Sequence, residues 1–187
     1  MLDSLLNPIK LAEYDSVNRY DGKGNFAVNK YYHYPYRPFY RKKLYMIRSL
    51  LDKGRIYKNI LDFGAGPGIF TPELKRHAIS VVSVNEEDFI DKRSKFECVV
   101  AGSSLEFVDD LVDSIKMLHE ITYSRSQLIV ASPTDGYLSR LYFKSIGDKL
   151  VRNSPSSIMA IVDRWFKIDE YHEWMGLYFS FKAYRRA

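Results

Sequence analysis

The sequence predicts an α/β fold in which a mostly parallel sheet ends in an antiparallel C-terminal hairpin. Short runs rich in β-branched residues alternate with segments of helical periodicity, which is typical of a parallel sheet with helices on both faces. The first of these runs leads directly into a glycine-rich turn. At 187 residues the chain has the length of one domain, and a hydrophobic content of 46% is sufficient to form a core.

The composition excludes several other classes of protein. No apolar run approaches the roughly eighteen residues of a transmembrane helix, and residues 1–15 carry too many charges for a signal peptide. The single cysteine, Cys98, cannot form an intramolecular disulfide, and four histidines offer no Cys/His metal cluster. We therefore expect a cytoplasmic protein with no metal and no membrane partner. The net charge of +5 allows an anionic partner without requiring one.

Residues 1–58 are predicted to form a cap segment with one packing helix. Tyr40, Leu44, Ile47 and Leu51 recur at helical spacing, which predicts a helix that ends near Gly54 and packs its apolar side on the rest of the protein. The opposite, solvent face is expected to carry Arg41, Lys42, Lys43 and Arg48.

An aromatic loop is predicted before that helix. The run Tyr31 to Pro38 contains two prolines, and each removes a backbone donor and favours extended geometry in the residue before it. The wider segment 30–58 is strongly basic, since it contains one acid, Asp52, and nine cations: Lys30, Arg37, Arg41, Lys42, Lys43, Arg48, Lys53, Arg55 and Lys58. An RNA-binding surface could combine such charges with aromatic stacking. A solvated helix face beside a loop that covers a site accounts for the same residues, and we favour it.

Residues 59–187 are predicted to form the α/β body. Thr71-Pro72-Glu73 is a helix-start signal, with Thr71 as the N-cap. Leu111, Ile115 and Leu118 predict a later helix. The predicted strands are Asn59–Phe63, Ile79–Val84, Phe96–Val100 and Gln127–Ala131, followed by a hairpin of Trp165–Trp174 and Leu177–Tyr184 around Met175-Gly176.

The segment Leu61 to Phe70, with its GxGxG turn, resembles the first motif of class I S-adenosylmethionine-dependent methyltransferases. Phe96 to Asp110 resembles the fourth strand of that family and its following loop. Ile115 to Thr134 is similar to the next helix and the fifth strand, and the hairpin fits the last two strands, so that the resemblance covers residues 59–186. A dinucleotide fingerprint is not met, because Ile69 stands where its third glycine belongs.

The resemblance implies a cofactor site for S-adenosylmethionine, with S-adenosylhomocysteine as the product. It places the methionine moiety on the backbone at Gly64 and Gly66, with Asp62 helping to set the turn. The family usually has an acidic residue for the ribose at the end of strand two, where this chain has Asn85, so that either Glu86 substitutes or cofactor binding is weakened. The implied cofactor residues are Asp62, Gly64, Ala65, Gly66, Gly68, Asn85, Glu86, Ala101, Gly102 and Ser103.

A second departure from the family is the short segment between strands two and four. Only the ten residues Glu86–Lys95 stand where the family has a helix, a third strand and another helix. We therefore predict that strand three is missing, that one short helix lies near Glu87 to Ile90, and that the adenine pocket is open. Candidates for contact with the adenine edge are Asp88, Phe89 and Asp91.

The expected reaction is methyl transfer to an O, N or C atom of a small-molecule acceptor. Candidates for a base are His33, Tyr36 and Glu106, although many methyl transfers need mainly alignment of the reacting atoms. One alternative is an RNA methyltransferase that uses the basic segment. Another is an inactive, methyltransferase-like binding protein. The aromatic tail strands could also form the interface of a homodimer.

Overall fold

The structure is a computed structural model that describes residues 8–18, 25–85, 88, 90–145 and 151–186. The strands are β1 (Tyr57–Phe63), β2 (Ala78–Val84), β3 (Phe96–Gly102), β4 (Thr122–Pro133), β5 (Phe166–Trp174) and β6 (Tyr178–Arg185). The helices are α1 (Tyr14–Asn18), α2 (Asn25–Tyr32), α3 (Arg37–Leu50), α4 (Thr71–Leu74), α5 (Leu111–Glu120), α6 (Tyr137–Ser145) and α7 (Pro155–Val162). Within these ranges no helix combines the length and the apolar character needed to cross a membrane.

The six strands form one sheet in the order β2-β1-β3-β4-β6-β5. The first four strands are parallel, and β6 runs antiparallel to both β4 and β5. This arrangement confirms the predicted fold class and its C-terminal hairpin. Among the described residues no strand lies between β2 and β3, as the short segment predicted.

The predicted short helix after β2 falls largely outside the described residues. Glu86, Glu87 and Phe89 are not described, whereas Asp88 and Ile90 are described and are not helical. Among the described residues of this connection, Asp88 lies in a bend and Lys92 and Arg93 form a turn.

Helices cover both faces of the sheet. Alternate residues of a strand point to opposite faces, and in the central parallel strands both faces are buried. Leu61, Val99 and Leu128 point to the face that α5 and α7 cover. Ile60 and Val100 point to the opposite face, against α3 and α4.

The predicted aromatic loop is wrong in its extent. Tyr31 and Tyr32 end α2, only residues 33–36 form the connection, and Arg37 and Pro38 already belong to α3. Pro38 is tolerated there because the first N–H groups of a helix have no partner within the helix.

The predicted cap of the short helix is also wrong. Phe70 is the N-cap of α4, which is only four residues long, and Thr71 is its first residue. The Thr71 hydroxyl is used instead in a contact with β1, described below.

Candidate functional site

A glycine turn follows β1 at the carboxyl edge of the sheet. Gly64, Gly66 and Gly68 have φ angles of 72°, 52° and 75°, in the left-handed region that side chains disfavour. The N–H groups of Gly64 and Ala65 donate to the Val84 carbonyl at 2.8 and 3.1 Å, which ties the turn to β2. A Cβ atom at Gly66 would meet no atom within 4 Å. The turn is therefore open to a ligand at Gly66, while the Gly64 amide is occupied within the sheet.

A buried carboxylate fixes the base of this turn. Asp62 of β1 accepts a hydrogen bond from the Thr71 hydroxyl at 2.9 Å, and that hydroxyl lies 3.1 Å from Ser83 Oγ of β2. Burial raises the pKa of Asp62 to about 6, although hydrogen bonds with Thr71 and Ser83 act in the opposite direction. Asp62 thus links β1, β2 and the start of α4 on either side of the turn.

Replacing Thr71 with Val is expected to destabilise the protein by about 1–3 kcal/mol above pH 6, because a buried carboxylate loses a donor. Ionisation of Asp62 already opposes folding above its ordinary pKa, and the loss of the hydroxyl adds to that cost. Near pH 4 the carboxyl is protonated in the folded state, so the loss should be smaller there. Urea unfolding near pH 4 and above pH 6 measures this loss of stability.

Thr71→Ser is the control, since it keeps the hydroxyl group and should unfold like the wild type. A loss in Thr71→Val that is the same at both pH values would show that the hydroxyl does not act on ionised Asp62.

The N-terminal segment covers one side of the turn. The Ala12 N–H donates to the Ile69 carbonyl at 3.0 Å, and the Lys10 N–H donates to Glu73 Oε2 at 2.7 Å. The Tyr32 hydroxyl of α2 in turn donates to the Ala12 carbonyl at 2.7 Å. Residues 10–12 are therefore held between α2 and the chain that follows the glycines.

The carboxyl end of β3 lies beside the turn. Ala101 is in register with Phe63 of β1, so Gly102 and Ser103 reach the same edge of the sheet as the glycines. A Cβ atom at Gly102 would lie 3.0 Å from Ile47 Cδ1, which shows how closely α3 packs there. The implied residues Ala101, Gly102 and Ser103 thus share one edge of the sheet with the glycine turn.

Lys43 of α3 reaches this edge, and its predicted place on the solvent face is wrong. Its side chain is 2% exposed, its ammonium group donates to Ser103 Oγ, and Nζ lies 5.5 Å from the centre of the Tyr31 ring. Lys43 follows Tyr40 by three residues and precedes Ile47 by four, and both positions share one helix face. The apolar periodicity of α3 places Lys43 on the buried face of the helix. The sequence prediction placed it on the solvent face because lysine is charged.

Glu106 is a buried acid in the loop after β3. Burial raises the pKa of its carboxyl to about 7, although the charge of Lys43 acts to lower it. Within the described chain neither carboxyl oxygen has a hydrogen-bond partner. The Arg152 N–H donates to the Glu106 carbonyl at 3.0 Å and helps to hold this loop in place. Glu106 and Lys43 are therefore two buried groups of opposite charge near Ser103, and Lys43 acts on Glu106 through its charge and not through a direct ion pair.

The other two base candidates lie in different surroundings. The His33 ring packs against Tyr14 of α1, with the ring centres 5.1 Å apart. Tyr36 is the N-cap of α3 and packs in an aromatic cluster with Phe39 and Trp174. Glu106 is the candidate that the structure places beside Ser103.

At the predicted ribose position, Asn85 follows β2 directly. Its backbone N–H donates to Asp88 Oδ2 at 2.6 Å, and its carbonyl accepts from the Asp88 N–H at 3.1 Å. Asp91 instead accepts from the Arg93 N–H at 3.0 Å. Glu86 and Phe89 lie outside the described residues. Asp88 is thus fixed at the end of β2.

The basic segment forms a less continuous surface than its composition suggests. Lys30 and Lys43 are buried, so two of the nine cations do not face solvent. Arg48 lies 3.8 Å from Glu73 Oε1, and Arg55 lies 3.4 Å from Asp52 Oδ2. Several of these charges are therefore held by contacts within the chain.

Comparison with solved structures identifies the fold. The N-methyltransferase NodS from Bradyrhizobium japonicum WM9, solved in complex with S-adenosyl-L-homocysteine, is 12% identical, with 93% of this chain and 98% of that chain covered at a TM-score of 0.65. An O-methyltransferase family protein from Burkholderia thailandensis is 13% identical, with 98% of this chain and 67% of that chain covered at a TM-score of 0.62. The [4+2]-cyclase SpnF is 11% identical, with 78% of this chain and 80% of that chain covered at a TM-score of 0.60. No protein-family model matches the chain, and no curated protein matches its sequence.

These likenesses show that the chain has the class I S-adenosylmethionine-dependent methyltransferase fold, as the resemblance implied. At such low identity they show the fold alone. The cyclase illustrates why the activity must be argued from the site, because one fold carries many functions.

Proposed function

We propose that this chain, which has the class I methyltransferase fold, transfers a methyl group from S-adenosylmethionine to an O, N or C atom of a small-molecule acceptor. The observation that carries the proposal is the open turn at Gly66. In an open α/β sheet, ligands bind at the carboxyl ends of the strands, where backbone can approach them closely. Among its structural neighbours, one protein is an N-methyltransferase and another belongs to an O-methyltransferase family.

The residues present fit this cofactor. Gly66 leaves space that a Cβ atom would take up, and the Asp62 carboxylate holds the turn in that shape through Thr71. The cofactor would be held by Asp62, Gly64, Ala65, Gly66, Gly68, Asn85, Glu86, Ala101, Gly102 and Ser103. When bound, S-adenosylmethionine supplies an electrophilic methyl group on a sulfonium centre.

The chain itself has mainly to align the acceptor and keep water away, because in-line methyl transfer depends on the geometry of the reacting atoms. The cap segment, residues 1–58, would do this: α3 packs on the end of β3 at Gly102, and residues 10–12 cover the turn at Ile69. Glu106 is the base candidate for an acceptor that must lose a proton, since a carboxyl with a pKa of about 7 can exchange protons near neutral pH.

Calorimetric titration of the protein with S-adenosylhomocysteine and with S-adenosylmethionine tests the proposal. We expect saturable binding of both at one site per chain, followed by methyl transfer when small acceptors are screened. Failure of both to bind would overturn the proposal and favour a binding protein with a methyltransferase fold. RNA affinity that falls steeply with rising salt would point to an RNA acceptor instead.

A further inference from the structure

The outer edge of β2 is the least protected part of the sheet. β2 is an edge strand, because no described strand lies beyond it. The side chains of Ile79 and Val82 are 80% and 41% exposed. The shortened connection to β3 thus leaves β-branched residues on a strand whose outer backbone donors and acceptors pair with no described strand.

The other edge of the sheet, β5, is protected in the usual way. Charged residues on an edge strand prevent pairing with another chain. Five of the nine residues of β5 are Lys, Asp, Glu or His: Lys167, Asp169, Glu170, His172 and Glu173. β2 reads Ala-Ile-Ser-Val-Val-Ser-Val and contains no charged residue and no proline. The sequence therefore discourages pairing at β5 and permits it at β2.

The charges beside β2 favour an antiparallel partner of the same sequence. Lys75, Arg76 and His77 precede the strand, and the described acid that follows it is Asp88, on a stretch that the sequence shows to be acidic. Lys75 and Asp88 are exposed, whereas Arg76 and His77 also contact the Glu73 carboxylate of their own chain, at 3.2 and 3.5 Å. Two antiparallel copies would bring the basic end of each strand beside the acidic end of the other. Parallel copies would instead place like charges together, which is unfavourable.

We propose that β2 pairs with β2 of a second copy of this chain, in antiparallel orientation, so that the two sheets become continuous. Side chains directly opposite each other in an antiparallel pair point to the same face. In a symmetric pair, the residue at the two-fold axis must therefore lie opposite its own copy. Val81 or its neighbour Val82, at the middle of β2, is expected at this position. This interface replaces the tail hairpin as the expected site of a homodimer.

The proposed dimer does not depend on the proposed function, although it would affect it. Asn85 and Asp88 lie at the end of β2, beside the expected cofactor site. The second copy would bring its own Lys75, Arg76 and His77 to that end. Each copy would then border the expected cofactor site of the other copy.

Sedimentation velocity over a concentration series tests the interface with two matched variants. Wild type is expected to sediment as a dimer. Ile79→Lys is expected to raise the dimer dissociation constant by at least about tenfold, since it introduces a charge into the strand pair in both copies. Tyr171→Lys on β5 should leave the dimer unchanged, although the Tyr171 side chain is 43% exposed, similar to Val82. The far-UV circular dichroism spectrum of Ile79→Lys should match that of the wild type, because Ile79 is exposed within its own chain, and this excludes misfolding as the cause.

The charges are tested by reversal. Lys75→Glu should weaken the dimer, and Lys75→Glu combined with Asp88→Lys should restore it, because the opposite charges then exchange ends. A wild type that stays monomeric throughout would overturn the proposal. So would a dimer that Tyr171→Lys disrupts and Ile79→Lys does not, which would move the interface to β5.

Discussion

Gly66→Arg is expected to abolish binding of S-adenosylhomocysteine, with a loss of affinity of at least about 100-fold. The side chain would extend in a direction in which a Cβ atom meets no protein atom within 4 Å, and this is the space in which the cofactor is expected. Calorimetric titration of the variant measures the loss. The fold should survive, since a Cβ atom there meets no neighbour.

Gly54→Arg is the matched control for this experiment. Gly54 also has a left-handed φ angle, of 75°, and a Cβ atom there also meets nothing within 4 Å. It lies between α3 and β1, at the opposite edge of the sheet from the turn. Both variants bear a similar backbone cost of about 1–2 kcal/mol, so a difference in binding between them reports the site. Equal binding by the two would show that the cofactor does not lie against Gly66.

The sequence predicts the sheet well because its strands carry local signals. The hairpin is the clearest case: Met175 and Gly176 are the central residues of a turn that the Leu177 N–H closes on the Trp174 carbonyl at 2.9 Å, and their positive φ angles of 53° and 62° match the twist of the strands. Gly64, Gly66 and Gly68 are equally local, since each has the positive φ that favours glycine. That no strand is found among the described residues between β2 and β3 was predictable from chain length alone, because ten residues cannot hold a strand and two helices.

The chemistry at the end of β3 was less predictable because it depends on contacts between distant segments. Glu106 is buried because the loop that carries it is held by the backbone of Arg152 and Asn153, more than forty residues further along the chain. Lys43 is buried because α3 packs across the ends of β3 and β4. Charged side chains are usually exposed, so the burial of Lys43 and Glu106 could not be predicted from their residue types.

Replacing Lys43 with Met is expected to lower the free energy of unfolding by about 1–3 kcal/mol above pH 7, because it removes the buried positive charge that lowers the pKa of the Glu106 carboxyl. The pKa of Glu106 is raised in the folded protein, from 4.5 to about 7, so ionisation of this group opposes folding increasingly across that interval. The positive charge of Lys43 reduces the free-energy cost of ionising Glu106 in the folded protein, and replacing Lys43 with Met would raise that cost again. The loss should therefore be small near pH 4.5 and reach its full size above pH 7, as measured by urea unfolding at both.

The double variant Lys43→Met/Glu106→Gln should recover most of this loss, since both charges leave the interior together and the remaining groups have similar volumes. Lys42→Met is the control on the same helix: Lys42 stacks over the Trp174 ring, with Nζ 5.9 Å from the ring centre, and its loss should cost less than about 1 kcal/mol. If Lys43→Met were equally destabilising at both pH values, its role would be packing rather than charge. A loss that depends on pH would instead show that the cap helix is held on the loop after β3 by an attraction between charges whose strength follows the proton on Glu106.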